Sequence, residues 1–136
     1  MNLDRALNVS AAGMAVQSTR LRVVAENIAN HDTTATVAGG DPYRRKTVSF
    51  ENHLDRATGA SIPEVSKVGT SSGAFPERYD PSHPAADARG YVRLPNVDMM
   101  TEVMDMREAQ RSYSANLSVL ETTRSMLLRA IDSLRG

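Results

Sequence analysis

Cysteine is absent from this 136-residue chain, which excludes disulfide staples and thiolate chemistry. Tryptophan is absent too, and the aromatic complement is four Tyr and two Phe. Compact globules use large rings as core anchors. Their shortage points to a thin core of Leu, Val, Met and Ala, of the kind found in paired helices. Neither sign of charge is in excess, since sixteen Lys and Arg balance sixteen Asp and Glu. That balance leaves no electrostatic footprint for nucleic acid or an anionic membrane. Long apolar runs are also missing. No stretch approaches the roughly 18 apolar residues needed to span a bilayer, so no membrane insertion is expected. Within Met1 to Val24, Asp4, Arg5, Gln17, Arg20 and Arg22 interrupt any apolar run, and a cleaved secretion signal is not expected there.

What the chain does contain falls into three parts. Residues 1–30 read as an N-terminal assembly helix, about Leu3 to Ala29. Leu7, Met14, Leu21 and Ile28 recur every seven residues, with Leu3, Ser10, Gln17 and Val24 at the alternate positions. This 3–4 spacing is that of a coiled-coil seam, weakened by Ser10 and Gln17. Asn27 and Asn30 fall where the helix ends and suit either C-capping or specific assembly contacts. Residues 97–136 read as a longer C-terminal assembly helix, about Asp98 to Leu134. Pro95 precedes it, and Asn96 or Asp98 can supply the N-cap. Its seam runs Val103, Met106, Gln110, Tyr113, Leu117, Leu120, Arg124, Leu127, Ile131 and Leu134. Gln110 and Arg124 either set register at a cost in stability or reach out to solvent.

The middle, residues 31–96, holds all six prolines and six of the eight glycines. Tyr43 to Phe50 reads as a strand, Ile62 to Val68 and Tyr91 to Leu94 as weaker ones, with loops between. The expected fold is therefore mainly α. Its long terminal helices pack as an antiparallel coiled-coil pair around a small β hairpin and loop-rich middle with no sizeable core of its own.

The first helix carries a second pattern. Val9, Val16 and Val23 are also seven apart, about 130° around the helix from the seam. In the second helix Val119 and Met126 stand outside the seam in the same relative position. A helix apolar on two faces must touch more than one neighbour. Either the extra neighbour is another molecule, or the valines fall at this spacing by chance or merely cover the middle segment.

No chemistry-bearing constellation competes with this reading. Asp80, His83 and Asp87 fit no dedicated metal site, and Pro81 and Pro84 suit a rigid turn. His31 beside Asp32 lacks a nucleophile or a phosphate loop. No catalytic, metal or cofactor site is expected. Arg44, Arg45 and Lys46 form a basic run that suits an acidic neighbour or a solvated strand.

The same residues carry a resemblance. Ser10-Ala11-Ala12-Gly13-Met14, followed by Ala25-Glu26-Asn27-Ile28-Ala29-Asn30, resembles the N-terminal signature of bacterial flagellar rod and hook proteins. The runs Gly39 to Lys46, Tyr79 to Pro84 and Gly90 to Val97 resemble the middle segment of the family's short proximal-rod members. Glu108 to Asn116 is similar to the family's terminal helix motif. One departure is that residues 32–38 lack the proline often found in this turn.

The resemblance implies a structural subunit of the basal-body rod, the drive shaft crossing the periplasm, and not an enzyme. It implies partners that are copies of itself, other rod and hook-basal-body proteins and, in transit, the flagellar type III export apparatus. The assembly interface is then expected at Leu7, Val9, Met14, Val16, Leu21, Val23, Asn27, Ile28 and Asn30 of the first helix. On the second it is expected at Val103, Met106, Tyr113, Leu117, Val119, Leu120, Met126, Leu127, Ile131 and Leu134. The alternative function is a soluble adaptor or export chaperone that holds a partner's amphipathic helix in a groove.

Overall fold

The computed structural model describes residues 2–136; Met1, the start of the stretch read against a secretion signal, lies outside them. Six elements follow in order: α1 (Leu3–Ala29), β1 (Lys46–Asp55), β2 (Ala60–Thr70), β3 (Glu77–Tyr79), β4 (Tyr91–Arg93) and α2 (Met99–Arg135). Two long terminal helices thus bracket a small β region, as the sequence pattern predicts. At about 1.5 Å per residue the helices run roughly 40 and 55 Å. Among the described residues, no helix is long and apolar enough to cross a membrane.

The caps explain the helix limits. The Asn2 side-chain oxygen accepts the Arg5 amide at 3.1 Å, closing the first turn of α1. At its other end the Asn30 amide donates to the Glu26 carbonyl at 2.8 Å, and the Thr33 hydroxyl donates to Asn30. No described non-glycine residue has positive φ. Asn30 therefore caps through its side chain and not through a left-handed backbone. Asp98, not Asn96, caps α2, accepting the Met100 amide at 3.2 Å and the Thr101 hydroxyl at 2.8 Å.

β1 and β2 pair as a two-stranded hairpin. Its turn is built by Asp55, which accepts the Ala57 amide and the Thr58 hydroxyl, while the Gly59 amide bonds the Asp55 carbonyl. Gly59 takes φ +65°, which glycine adopts without strain. β3 and β4 are antiparallel, with Glu77 opposite Arg93, Arg78 opposite Val92, and Tyr79 opposite Tyr91. The two tyrosine rings meet edge-on at 5.3 Å. β3 has no apolar alternation and escapes sequence reading. The strand expected over Tyr43–Phe50 instead begins at Lys46 and continues to Asp55, because Tyr43 to Arg45 are held by side-chain contacts described below.

The chain resolves into two compact units. One comprises residues 1–21, 49–67 and 107–136; the other comprises 22–48 and 68–106. Each joins stretches of both helices to part of the middle. Val16, Ala60 and Ala109 are the buried apolar residues of the first unit; Val23, Val24, Ala85 and Val92 are those of the second. At about 1.5–3 kcal/mol per fully buried large aliphatic side chain, this is a modest core. Polar residues share it: Ser10, Asn27, Glu102 and Thr123 are also buried.

Burial shifts the expected seams. In α1 the buried stripe is Ser10, Gly13, Val16, Val23, Val24 and Asn27, while Leu7, Met14, Leu21 and Ile28 are half-exposed. In α2 the row Met106, Tyr113, Leu120 and Leu127 is half-buried. Its companion row, however, falls one residue early, on Glu102, Ala109, Asn116 and Thr123, and leaves Val103 half-buried. Gln110 and Arg124 are therefore surface residues and interrupt nothing. The reason is size. Glycine, alanine, valine and polar side chains occupy the inner line, and leucine, methionine and isoleucine beside them turn partly outward.

Candidate assembly interface

Asn27 is the centre of the second unit. Its side-chain oxygen accepts the Tyr43 hydroxyl at 2.8 Å and the Lys46 amide at 2.9 Å. Its amide group donates to the Lys46 carbonyl at 2.9 Å and to Glu102 Oε2 at 3.2 Å. Every hydrogen-bonding position of the side chain is used. Asn27 thus pairs with the Lys46 peptide much as a neighbouring strand would, and it ties α1, the start of β1 and α2 to one another.

Glu102 is fully buried and needs compensation for its charge. The Arg45 guanidinium supplies it by a direct hydrogen bond and reaches Asp105 at 3.5 Å. The Arg45 amide donates to Asn96 Oδ1 at 2.8 Å. Lys46 Nζ pairs with Glu26 at 2.7 Å. Their hydrogen bond lowers the Glu26 pKa below the carboxylate norm and raises that of Lys46. Burial pushes the Tyr43 phenol up. Arg44 stacks over Phe75 at 4.2 Å and donates to the Ser71 and Gly73 carbonyls. The three basic side chains of this run are therefore engaged within their own chain while remaining partly exposed.

In the first unit α1 and α2 approach closely at Gly13. A Cβ there would lie 2.8 Å from Asn116 Oδ1, so any larger residue would require the Asn116 side chain to shift. Arg20 pairs with Glu108 at 3.5 Å. Grooves open on this unit among the described residues. One, of about 440 Å³, is lined by Asn2, Arg5, Ala6, Val9, Ser10 and Val119. Another, of about 500 Å³, lies between α1, through Ala12, Ala15 and Val16, and the hairpin, through Ile62, Glu64 and Val65.

The expected interface residues fall into three groups. Val16, Val23 and Asn27 are buried within their own chain. Val16 and Val23 are thus packed within their own chain, and Val16 keeps an edge on the α1–hairpin groove. Leu7, Val9, Met14, Leu21, Ile28, Asn30, Val103, Met106, Tyr113, Leu120 and Leu127 are half-buried. Leu117, Val119, Met126, Ile131 and Leu134 are exposed, Leu134 at 89%. Val9 and Val119, read as second-stripe positions on separate helices, line the same groove.

Sequence reasoning missed Glu102, Arg45, Tyr43 and Gly13 as organising residues. The signal available for Glu102 was its place one residue before the apolar row. The turn residues also have local duties. Asp87 accepts the Arg89 and Tyr91 amides, and the Tyr91 amide chiefly holds its carboxyl below the usual range. His83 Nδ1 accepts the Ala85 amide, and Asp80 accepts the Ser82 hydroxyl. Among the described residues no His, Cys, Asp and Glu grouping could hold a metal ion.

Comparison with known proteins gives these features a setting. Residues 7–35 match the family model described as flagella basal body rod protein, and residues 88–133 match the C-terminal model of flagellar basal body rod FlgEFG proteins. Over 134 residues the chain is 49% identical to the flagellar basal-body rod protein FlgC of Agrobacterium fabrum, covering 98% of this chain and 96% of that one. It is 40% identical to FlgC of Salmonella typhimurium over 96% of this chain and 97% of the relative. It is 34% identical to FlgC of Borreliella burgdorferi, with both chains covered in full.

Proposed function

This chain belongs to the FlgC family of flagellar basal-body rod proteins and is a structural subunit of the rod, and from that premise we propose that its terminal helices form an antiparallel pair whose outer faces bind neighbouring subunits. The Gly13 contact with Asn116 and the Arg20 pair with Glu108 support the antiparallel sense. Seven residues up α1 correspond to eight residues down α2. The inner line of small and polar residues sets the spacing of the pair. The larger residues beside it, among them Met14, Ile28, Leu117, Val119 and Met126, present apolar surface outward.

Such a subunit transmits torque mechanically. Many modest apolar contacts act in series, and heterologous interfaces that do not close generate a helical stack. The partners are copies of the chain and other rod and hook-basal-body proteins, and the working place is the basal-body rod. Passage through the flagellar export apparatus and the lack of a catalytic role follow from the same family reading, which also disfavours the helix-binding adaptor.

The observation that carries the interface assignment is the exposure of large apolar residues along α2. Leu117→Asp tests it, because Leu117 is 37% exposed and its replacement leaves the inner line of the pair untouched. The variant is expected to be produced normally but to be missing from isolated basal bodies, with loss of swimming. Incorporation at wild-type level would remove Leu117 from the interface.

A further inference from the structure

The last two turns of α2 and the groove between α1 and the hairpin are complementary. Leu127, Ala130, Ile131 and Leu134 follow the i, i+3, i+4, i+7 spacing of a helix that docks by one face. Ile131 and Leu134 of this stripe are 41% and 89% exposed. Arg135 flanks this stripe, while Arg129 and Asp132 lie on the opposite face of the helix, and Arg135 has no ion-pair partner among the described residues. The groove offers Ala12, Ala15, Val16, Ile62 and Val65 as an apolar floor and walls, with Glu64 on its lining. Glu64 also has no ion-pair partner among the described residues.

We propose that the C-terminal end of α2 from one copy of this chain seats in the α1–hairpin groove of the next copy. The inference rests on the rod reading above and deepens it by naming one interface. The chain's own α2 cannot fill its own groove. Val119 already lines a groove with Asn2, Arg5 and Val9, at the start of α1. Ile131 is twelve residues further along a continuous helix, roughly 18 Å at about 1.5 Å per residue, and is carried away from Ala12 to Val16. The occupant therefore comes from another molecule.

Charge selects between these two grooves. The one at the start of α1 carries Arg5, which repels the Arg135 that borders the tip's apolar stripe; the α1–hairpin groove carries Glu64 beside His53, and its carboxylate attracts Arg135. Because tip and groove are different surfaces, the contact is heterologous and propagates instead of closing a dimer.

The absence of native cysteine makes the test direct. Ile131→Cys and Ala15→Cys chains are co-expressed in a flagellated strain lacking its own copy, and disulfide-linked dimers are mapped in isolated, oxidised basal bodies. Pairing Ile131→Cys with Val37→Cys, exposed and outside the groove, is the control. The expected result is a 131–15 link well above the 131–37 background. Glu64→Lys in the Ala15→Cys chain should lower its yield about tenfold, the low end for a close interfacial charge pair. Arg135→Glu in the Ile131→Cys chain should restore it. Equal yields for the two pairs, or a 131–15 link indifferent to Glu64→Lys, would overturn the proposal while leaving the rod reading intact. Absence of the wild-type chain from the same basal bodies would instead strike the rod reading.

Discussion

At the scale of single residues, the chain relies on a few polar groups whose bonding is complete. Asn27 makes four hydrogen bonds, and its nitrogen and oxygen are distinguished by their partners. Asn27→Ala is expected to cost about 2–4 kcal/mol, since it leaves the Lys46 peptide groups and the Tyr43 hydroxyl unsatisfied. Asn27→Asp should be worse at neutral pH, because it sets a second carboxylate against Glu102. It should recover partly in acid, where the introduced carboxyl is protonated and can donate again. Chemical denaturation of the three proteins at pH 7 and pH 5 would check the order; equal stability of the two variants at both values would refute it. In sequence, Asn27 reads as a helix-end residue, because a fully bonded buried amide and a capping amide have the same composition signature. Only the fold brings Tyr43, Lys46 and Glu102 to it.

At the scale of elements, the helices were legible and their facing was not. The limits of α1 coincide with the periodic stretch, since alanine-rich sequence without proline, bounded by cap residues, determines a helix locally. Which side of that helix turns inward is a question of fit. Gly13 and Asn116 show the rule, since a Cβ at this point would press on the Asn116 side chain, itself held by the Ser112 carbonyl. Gly13→Ala would raise intrinsic helix propensity by about 1 kcal/mol. It should nevertheless destabilise the helix pair, because the new methyl meets the Asn116 amide. Asn116→Ala in the same chain should relieve the clash and recover most of the loss. A double-mutant cycle by thermal melting reads this directly, and additive effects of the two changes would rule out the contact. The hairpin was only half legible. Most of its residues are exposed, so hydrophobic alternation marks neither its full length nor its turn.

At the scale of the whole molecule, paired and capped charges set the pH range of stability. Lys46 depresses the Glu26 pKa, the Thr58 hydroxyl depresses that of Asp55, and the Tyr91 amide depresses that of Asp87. A carboxyl with a lowered folded pKa stabilises above its unfolded value of about 4 and loses that contribution as pH falls through the folded one. Lys46 and Tyr43 are shifted upward, so their contributions are complete below about pH 10 and fade as pH rises further. The melting temperature should therefore hold a plateau across neutral pH and fall on both sides. Glu26→Gln should lower it at pH 7 more than at pH 3; an equal drop at both would contradict the assigned pair. The family and the rod role were legible in the sequence because the motifs that carry them are contiguous runs of residues. The two helices and the β-containing middle were legible because periodicity, caps and turn residues act over a few positions. The tertiary structure decided which row of each helix lies inside, how Arg45 and Glu102 compensate each other, and where the grooves open. Those outcomes depend on the shapes and charges of residues tens of positions apart, which no local pattern encodes.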